Sequence, residues 1–288
     1  MHNTSISATG FIRKLRGGSQ PILVGASDGN QYVVKFANNL QGPNVLCNEV
    51  LGTELYRAIG LPAPGWRPIS ITERFIRNNP ECRIEGPQGW IEPEAGLCFG
   101  SHLIGDSTGS LFEILPGAYW ARVSNRQDFW LAWLVDLCAE HRDNRQAVFL
   151  QNCGVFSAVF IDHGHMFGGP EGSRKTPALG PRHLDPRVYL KLDRQTQLRL
   201  QLFWANINAY ELSKKIETIP DRWATDSAVR NFLICIERLS RADTWQRALE
   251  AMVASFENPD RNASAFPTVD KVLRSCLRFA TAGRSAVA

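Results

Sequence analysis

Hydrophobic and polar positions change their rhythm along the chain. "PILVGASDGNQYVVKFA" reads as strand, turn, strand, with Asp28-Gly29 at the turn. That pair favours a type I′ hairpin, whose two central residues both need positive φ. Residues 1–16 show no clear pattern. Val45, Leu46, Val50, Leu51, Leu55 and Ile59 then recur at helical spacing, and Gly60 with Pro62 ends the run, which predicts a helix over 45–59. "WRPISIT" and "GLCFGSHLI" predict further strands, joined by a Pro/Gly-containing connection around Asn78 to Gly96. After Gly109 the pattern turns mostly helical. Asn125 to Glu140 is apolar almost all round, as in a central helix. "AVFL" and "SAVFID" predict a short hairpin turning at Gln151 to Gly154, and residues 164–193 read as a long surface segment. Helical faces follow at Val229, Phe232, Leu233 and Ile236, at Trp245, Ala248, Leu249, Met252, Val253 and Phe256, and at Val269, Val272, Leu273 and Cys276, before a frayed tail beyond Ala280.

A β-rich part followed by a helical part predicts an α+β chain of two lobes, about 1–105 and 106–288, with a cleft between them. A hydrophobic content of 44% with 10% aromatics supports a proper core. The net charge of +4 is mild and no basic block carries interleaved aromatics, so nucleic acid is not expected as a partner. The longest nearly apolar stretch, Phe129 to Ala139, is about half a membrane span and contains Asp136, so no membrane segment is expected either. With no leader pattern, the expected location is the cytoplasm. Seven widely spaced cysteines without a CxxC read as reduced and structural.

Lys35 lies inside the apolar run "YVVKF". A buried ammonium without a partner costs several kcal/mol, so this side chain must reach water or hold an anion. Only seven of the 32 basic residues are lysines, which makes an incidental one here less expected. Downstream the chain supplies Glu49 in the predicted helix, Asp143 in His141-Arg142-Asp143, and Asp162 in Asp162-His163-Gly164, with the predicted hairpin between the two aspartates. Gly17-Gly18-Ser19 precedes the first strand. Glycine loop, strand Lys, helix Glu and two aspartates come in the order used by protein-kinase-like phosphotransferases. The chemistry explains the order: backbone N–H groups approach phosphates, the Lys contacts them while the Glu orients it, one Asp accepts a hydroxyl proton and the other holds Mg²⁺.

"GGSQPILVGASDGNQYVVKF", "NEVLGTELYRAIGLPAPG", "DNRQAVF" and "FIDHGHMFGG" together resemble the HipA-like kinases of bacteria, relatives of the type II phosphatidylinositol 4-kinases in the protein-kinase-like fold. The resemblance implies ATP and Mg²⁺ as cofactors and a Ser or Thr hydroxyl of a protein as acceptor. It assigns Gly17, Gly18, Ser19 and Gln20 to the phosphate-binding loop, Lys35 to ATP, Glu49 to Lys35, Asp143 to catalysis and Asp162 to Mg²⁺. It also places Val33, on the strand face of Lys35, at the roof of the adenine pocket. These kinases carry a second metal ligand, Asn, five positions after the catalytic Asp, and this chain has Val148 there. Gln146 or Asn144 could offer an amide oxygen instead.

Alternatives stay open at this level. Glu54 competes with Glu49 as the partner of Lys35. His163 and His165, with His141 or His102, could form a transition-metal site. Val148 suits a nucleotide-binding pseudokinase, and the family kinship admits a lipid or small-molecule acceptor. Ser173 and Thr176 sit where kinases carry an activation segment.

Overall fold

The computed structural model describes residues 6–105, 110–172, 183, 185–189 and 193–257. Strands β1 (Ile6–Lys14), β2 (Ile22–Ala26) and β3 (Gln31–Lys35) are followed by helix α1 (Val45–Ala58), β4 (Trp66–Ile71) and α2 (Glu73–Asn78). A short hairpin of β5 (Ile84–Gly86) and β6 (Gly89–Ile91) precedes β7 (Gly96–His102). Five of these strands close a barrel in the order β1-β2-β3-β7-β4, with β1 meeting β4 in parallel at Ile6–Ile69 and Ser7–Ser70. Its interior is filled by Ile22, Val24, Tyr32, Val34, Phe36, Ile69, Ile71 and Cys98. Alternation then sends Val33 and Lys35 to the outer face.

Two details differ from expectation. Residues 6–14, which carry no clean alternation, form β1, whose two register shifts against β2 break the period-two pattern. The β2–β3 turn is not type I′, because Gly29 has φ +81 while Asp28 is absent from the positive-φ residues. The Gly29 N–H donates to the Ala26 carbonyl at 3.0 Å and the Ala26 N–H to the Asn30 carbonyl at 2.9 Å, giving a longer loop that needs only one left-handed residue.

The second layer begins with β8 (Ser110–Phe112) and continues through α3 (Asp128–Cys138), β9 (Gln146–Asn152), β10 (Val155–Ile161), α4 (Arg194–Ala205), α5 (Ala209–Ser213), α6 (Asp226–Leu239) and α7 (Ala242–Glu257). The predicted hairpin is longer than expected and carries the type I′ turn, with Cys153 at φ +49 and Gly154 at φ +79 between Asn152 and Val155. β8 adds a third strand to it, where helix was expected. The predicted surface segment 164–193 is not all surface, since Met166 and Phe167 are buried. Ser173, Thr176, the predicted helix near Val269, the tail and the start of the proposed second lobe at 106–109 lie outside the described residues.

α1 and α3 sit at the centre. α1 buries Asn48, Glu49 and Thr53 along with its apolar residues, and α3 buries ten of its eleven. A helix covered on all sides cannot leave polar groups unpaired, so Asn48, Glu49 and Asp136 must each find partners. Among the described residues six cysteines are free, and five of them are buried. Among the described residues no helix is long and apolar enough to cross a membrane.

Candidate active site

Lys35 points from the barrel's outer face toward α1. Its Nζ lies 2.5 Å from Glu49 Oε1 and 2.9 Å from Asp162 Oδ1. Burial alone would push the ammonium toward its neutral form, but Asp162 and Glu49 outweigh it and hold the pKa above the usual lysine value. Burial likewise raises Asp162, and Lys35 more than reverses this, holding the carboxyl well below the usual carboxylate range. Burial keeps Glu49 above its ordinary value against the pull of Lys35. The strand lysine, 127 positions from Asp162, thus bridges two carboxylates from different elements. Glu54 is excluded as its partner, since that carboxylate accepts from Trp66 Nε1 and pairs with Lys215.

Glu49 also accepts the backbone N–H groups of His163 at 3.1 Å and Gly164 at 2.9 Å. This contact explains the glycine: a Cβ at position 164 would lie 2.9 Å from Glu49 Oε1 and 3.0 Å from Val45 Cγ1. Neighbouring Asn48 donates to the carbonyls of Gly164, Met166 and Gly169, at 3.0, 2.8 and 3.2 Å. Asn48 and Glu49 are therefore both used to pin the segment after Asp162. Asp162 itself has φ +60, a left-handed conformation that costs a non-glycine residue on the order of 1 kcal/mol. The surrounding bonds hold it there.

One turn on from Asn48, Gly52 allows the same close approach. A Cβ there would sit 2.4 Å from His163 Cβ and 2.7 Å from Met166 Sδ. Gly to Ala in a helix interior ordinarily gains about 1 kcal/mol, while overpacking a rigid core costs about 1–3 kcal/mol. At these distances the clash wins, so Gly52→Ala is expected to lower the urea midpoint; a raised midpoint would show that the segment after Asp162 yields easily.

The loop between α3 and β9 comes to the same place. Glu140, at φ +50, ends α3, and the His141 N–H closes back on the Asp136 carbonyl at 3.0 Å. Backbone bonds then stitch the loop to the Asp162 segment, from the Arg142 N–H to the His165 carbonyl at 2.9 Å and from the Phe167 N–H to the Ala139 carbonyl at 2.7 Å. Asp143 is half-buried on this loop and accepts the Asn144 N–H at 2.7 Å. Arg145, 1% exposed, grips Asp136 through Nε at 2.8 Å and Nη2 at 2.7 Å, and donates to the Ile161 carbonyl at 2.9 Å. Its remaining N–H groups face Nδ1 of His141 and of His163, at 3.2 and 3.3 Å. Because guanidinium only donates, both ring nitrogens accept. Burial, reinforced by Arg145, lowers the pKa of both histidines and keeps them neutral.

The strand register locates the position opposite Asp162. Gln146 pairs with Ile161, and its Nε2 donates to Asp162 Oδ2 at 3.0 Å. Val148, 7% exposed, pairs with Val159 farther up the hairpin, and Asn144 is exposed. The side chain beside Asp162 is thus that of Gln146, three residues after Asp143 rather than five.

The glycine loop joins β1 to β2, its base closed by the Leu15 N–H donating to the Pro21 carbonyl at 2.8 Å. Gly17 has φ +132, and a Cβ on Gly18 would meet Gln41 Nε2 at 2.9 Å. Gln41 in turn donates to His165 Nε2 at 2.8 Å. The loop therefore sits over the segment that carries Asp162. Ser19 is buried, and the Gln20 side chain reaches sideways to Glu85. The imagined histidine metal site is not assembled: His163 faces Arg145, His165 faces Gln41, and among the described residues no group of three His, Cys, Asp or Glu converges.

Arg145, Asp136, Asn48 and Gln41 escaped sequence reasoning. The one signal in reach was Asp136, an acid in the middle of an apolar helix, which had to have a buried partner.

No known protein-family description matches the chain, and no curated protein matches it. Solved structures do. The Helicobacter pylori proinflammatory kinase CtkA shares 10% identity over 85% of this chain and 98% of its own, with a TM-score of 0.55. A hydra Fam20 structure with sugar shares 12% identity over 88% of each chain, at a TM-score of 0.49. A Golgi casein kinase with Mn/ADP bound shares 11% over 87% of this chain and 74% of its own, at 0.48. At such identities what is shared is the fold, and the CtkA likeness shows it to be the two-lobed, α+β, protein-kinase-like one.

Proposed function

We propose that the chain is an ATP-dependent phosphotransferase of HipA-like type that moves the γ-phosphoryl group to a hydroxyl, with a protein Ser or Thr as the acceptor class. The observation that carries this reading is Lys35, held between Glu49 and Asp162 at 2.5 and 2.9 Å on the face of the barrel turned to the helical layer. A buried cation fixed by two carboxylates is poised to meet anionic phosphates without further reorganisation.

The donor set suits MgATP. Oxygen ligands from Asp162, with the Gln146 amide turned to present Oε1, match the preference of Mg²⁺ for few protein oxygens and retained water. When bound, the metal would neutralise charge on the phosphates. Backbone N–H groups of Gly17, Gly18 and Ser19 would cover the phosphates, Lys35 would contact them, and Val33 would line the adenine side. Asp143 would take the proton of the acceptor hydroxyl as its oxygen bonds to the γ-phosphorus and the bond to ADP breaks.

The test uses purified protein with γ-labelled ATP and Mg²⁺, read by label incorporation and by ADP release. Asp162→Ala is expected to reduce both by at least about 10²-fold, and Gln146→Leu to raise the Mg²⁺ concentration at which ATP stabilises the protein against heat. Unchanged transfer by Asp162→Ala would sink the mechanism. Wild-type binding of MgATP without transfer to any acceptor would instead identify a nucleotide-binding module, the reading that Val148 favours.

A further inference from the structure

The β5–β6 hairpin lies between α2 and β7 and pairs with no strand of the barrel among the described residues. An isolated two-stranded hairpin is marginal in water, so something must hold it. Ile84 of β5 is buried in the barrel's hydrophobic cluster, and the polar contacts of the hairpin fall on the two shoulders of the glycine loop. At the end of β1, Lys14 Nζ donates to the Arg83 carbonyl at 2.5 Å and lies 5.4 Å from the Trp90 ring centroid. At the start of β2, the Gln20 amide takes both backbone groups of Glu85: Nε2 donates to the carbonyl and Oε1 accepts the N–H, each at 2.8 Å. Gln20 thus completes the edge of β5 as a neighbouring strand would. It does so at φ +45, a backbone state that Gln rarely adopts. The Gln20 N–H also closes the loop's own turn on the Gly17 carbonyl at 3.1 Å.

Resting on the nucleotide reading above, we infer that Gln20 is a positioning residue: it clamps the glycine loop to the β5–β6 hairpin, and the hairpin thereby sets how firmly the loop grips the nucleotide's phosphates. A side chain spent on Glu85 does not touch the phosphates. Its effect runs through the loop backbone, whose N–H groups must be held in place before a phosphate arrives.

Three variants separate this role from folding. Gln20→Gly removes the clamp while easing the φ +45 backbone, so the fold is not penalised. Glu85→Pro removes one bond from the hairpin side, far from the phosphates in sequence. Gln20→Glu keeps the acceptor and loses the donor. MgATP affinity by calorimetry is expected to fall about tenfold in Gln20→Gly, where both bonds go, less in Glu85→Pro, where one goes, and about as much as in Gln20→Gly in Gln20→Glu, whose carboxylate oxygen would face the Glu85 carbonyl. KM for ATP should rise with kcat little changed. In the protein without nucleotide, hydrogen exchange of residues 84–91 should quicken in Gln20→Gly. If wild type binds MgATP and Gln20→Gly binds it equally well, the inference is wrong, whatever the exchange shows. If wild type does not bind MgATP, the nucleotide reading fails and the inference with it.

Discussion

Replacing Lys35 by methionine is expected to destabilise the protein by about 3 kcal/mol at pH 8, near the lower end for breaking a buried ion pair, and to abolish phosphoryl transfer. The lower end applies because the Asp162 side chain keeps 25% of its exposure, whereas that of Glu49 keeps 3%. Without the ammonium the two carboxylates face one another unneutralised. The effect carries a pH signature. Asp162 is held below its ordinary value in the wild type, so its contribution to stability is fully present above about pH 4, the unfolded value, and is lost as pH falls further. In Lys35→Met that contribution is gone and mutual repulsion favours protonation. The stability gap between wild type and variant should therefore narrow as pH drops from 8 to 4, measured by urea denaturation at each pH. A gap independent of pH would mean that Lys35 stabilises through packing and not through its charge.

An effect of similar size is expected at a residue that touches no substrate. Arg145→Met leaves Asp136, which is fully buried, without the cation that holds its carboxyl well below the usual range against the upward push of burial. Breaking such a pair costs about 3–5 kcal/mol, whereas replacing both partners by apolar residues is often neutral. The double variant Asp136→Leu with Arg145→Met should accordingly recover much of the stability, and a denaturation cycle over the four proteins measures the coupling. Transfer should stay impaired in the double variant, because the bond from Arg145 to the Ile161 carbonyl, which ties the Asp143 loop to the strand entering Asp162, is lost in both. Full activity in a stable double variant would reduce Arg145 to a core residue.

Local pattern was a good guide wherever burial was one-sided. α6 buries the predicted Phe232 and Ile236 with Ala228, Cys235 and Leu239, though it leaves the predicted Leu233 exposed, and β10 alternates across its length. The pattern also found α1, predicted over 45–59 and observed at Val45–Ala58, although few exposed positions mark its faces. It was a poor guide where an element is irregular: β1 breaks its own period with two register shifts, and the turn chemistry predicted for Asp28-Gly29 is realised at Cys153-Gly154. A turn's type follows from how the strands beside it register, and register is set by long-range pairing.

The candidate site divides in the same way. Sequence by itself determined which groups are present and in what order: a lysine costly to bury, an acid in the next helix, and two aspartates either side of a hairpin. Those residue types allow little else once the chain is folded around them. Only the tertiary structure decided the partners. It chose Glu49 over Glu54, put Gln146 beside Asp162 through the pairing with Ile161, and left Val148 facing Val159. It also turned Gln20 away to the hairpin and made Arg145 the tie between two loops. The reason is geometric: hydrogen bonds and ion pairs act over about 3 Å, and which side chains come that close depends on strand register and helix placement, which no single stretch of sequence records.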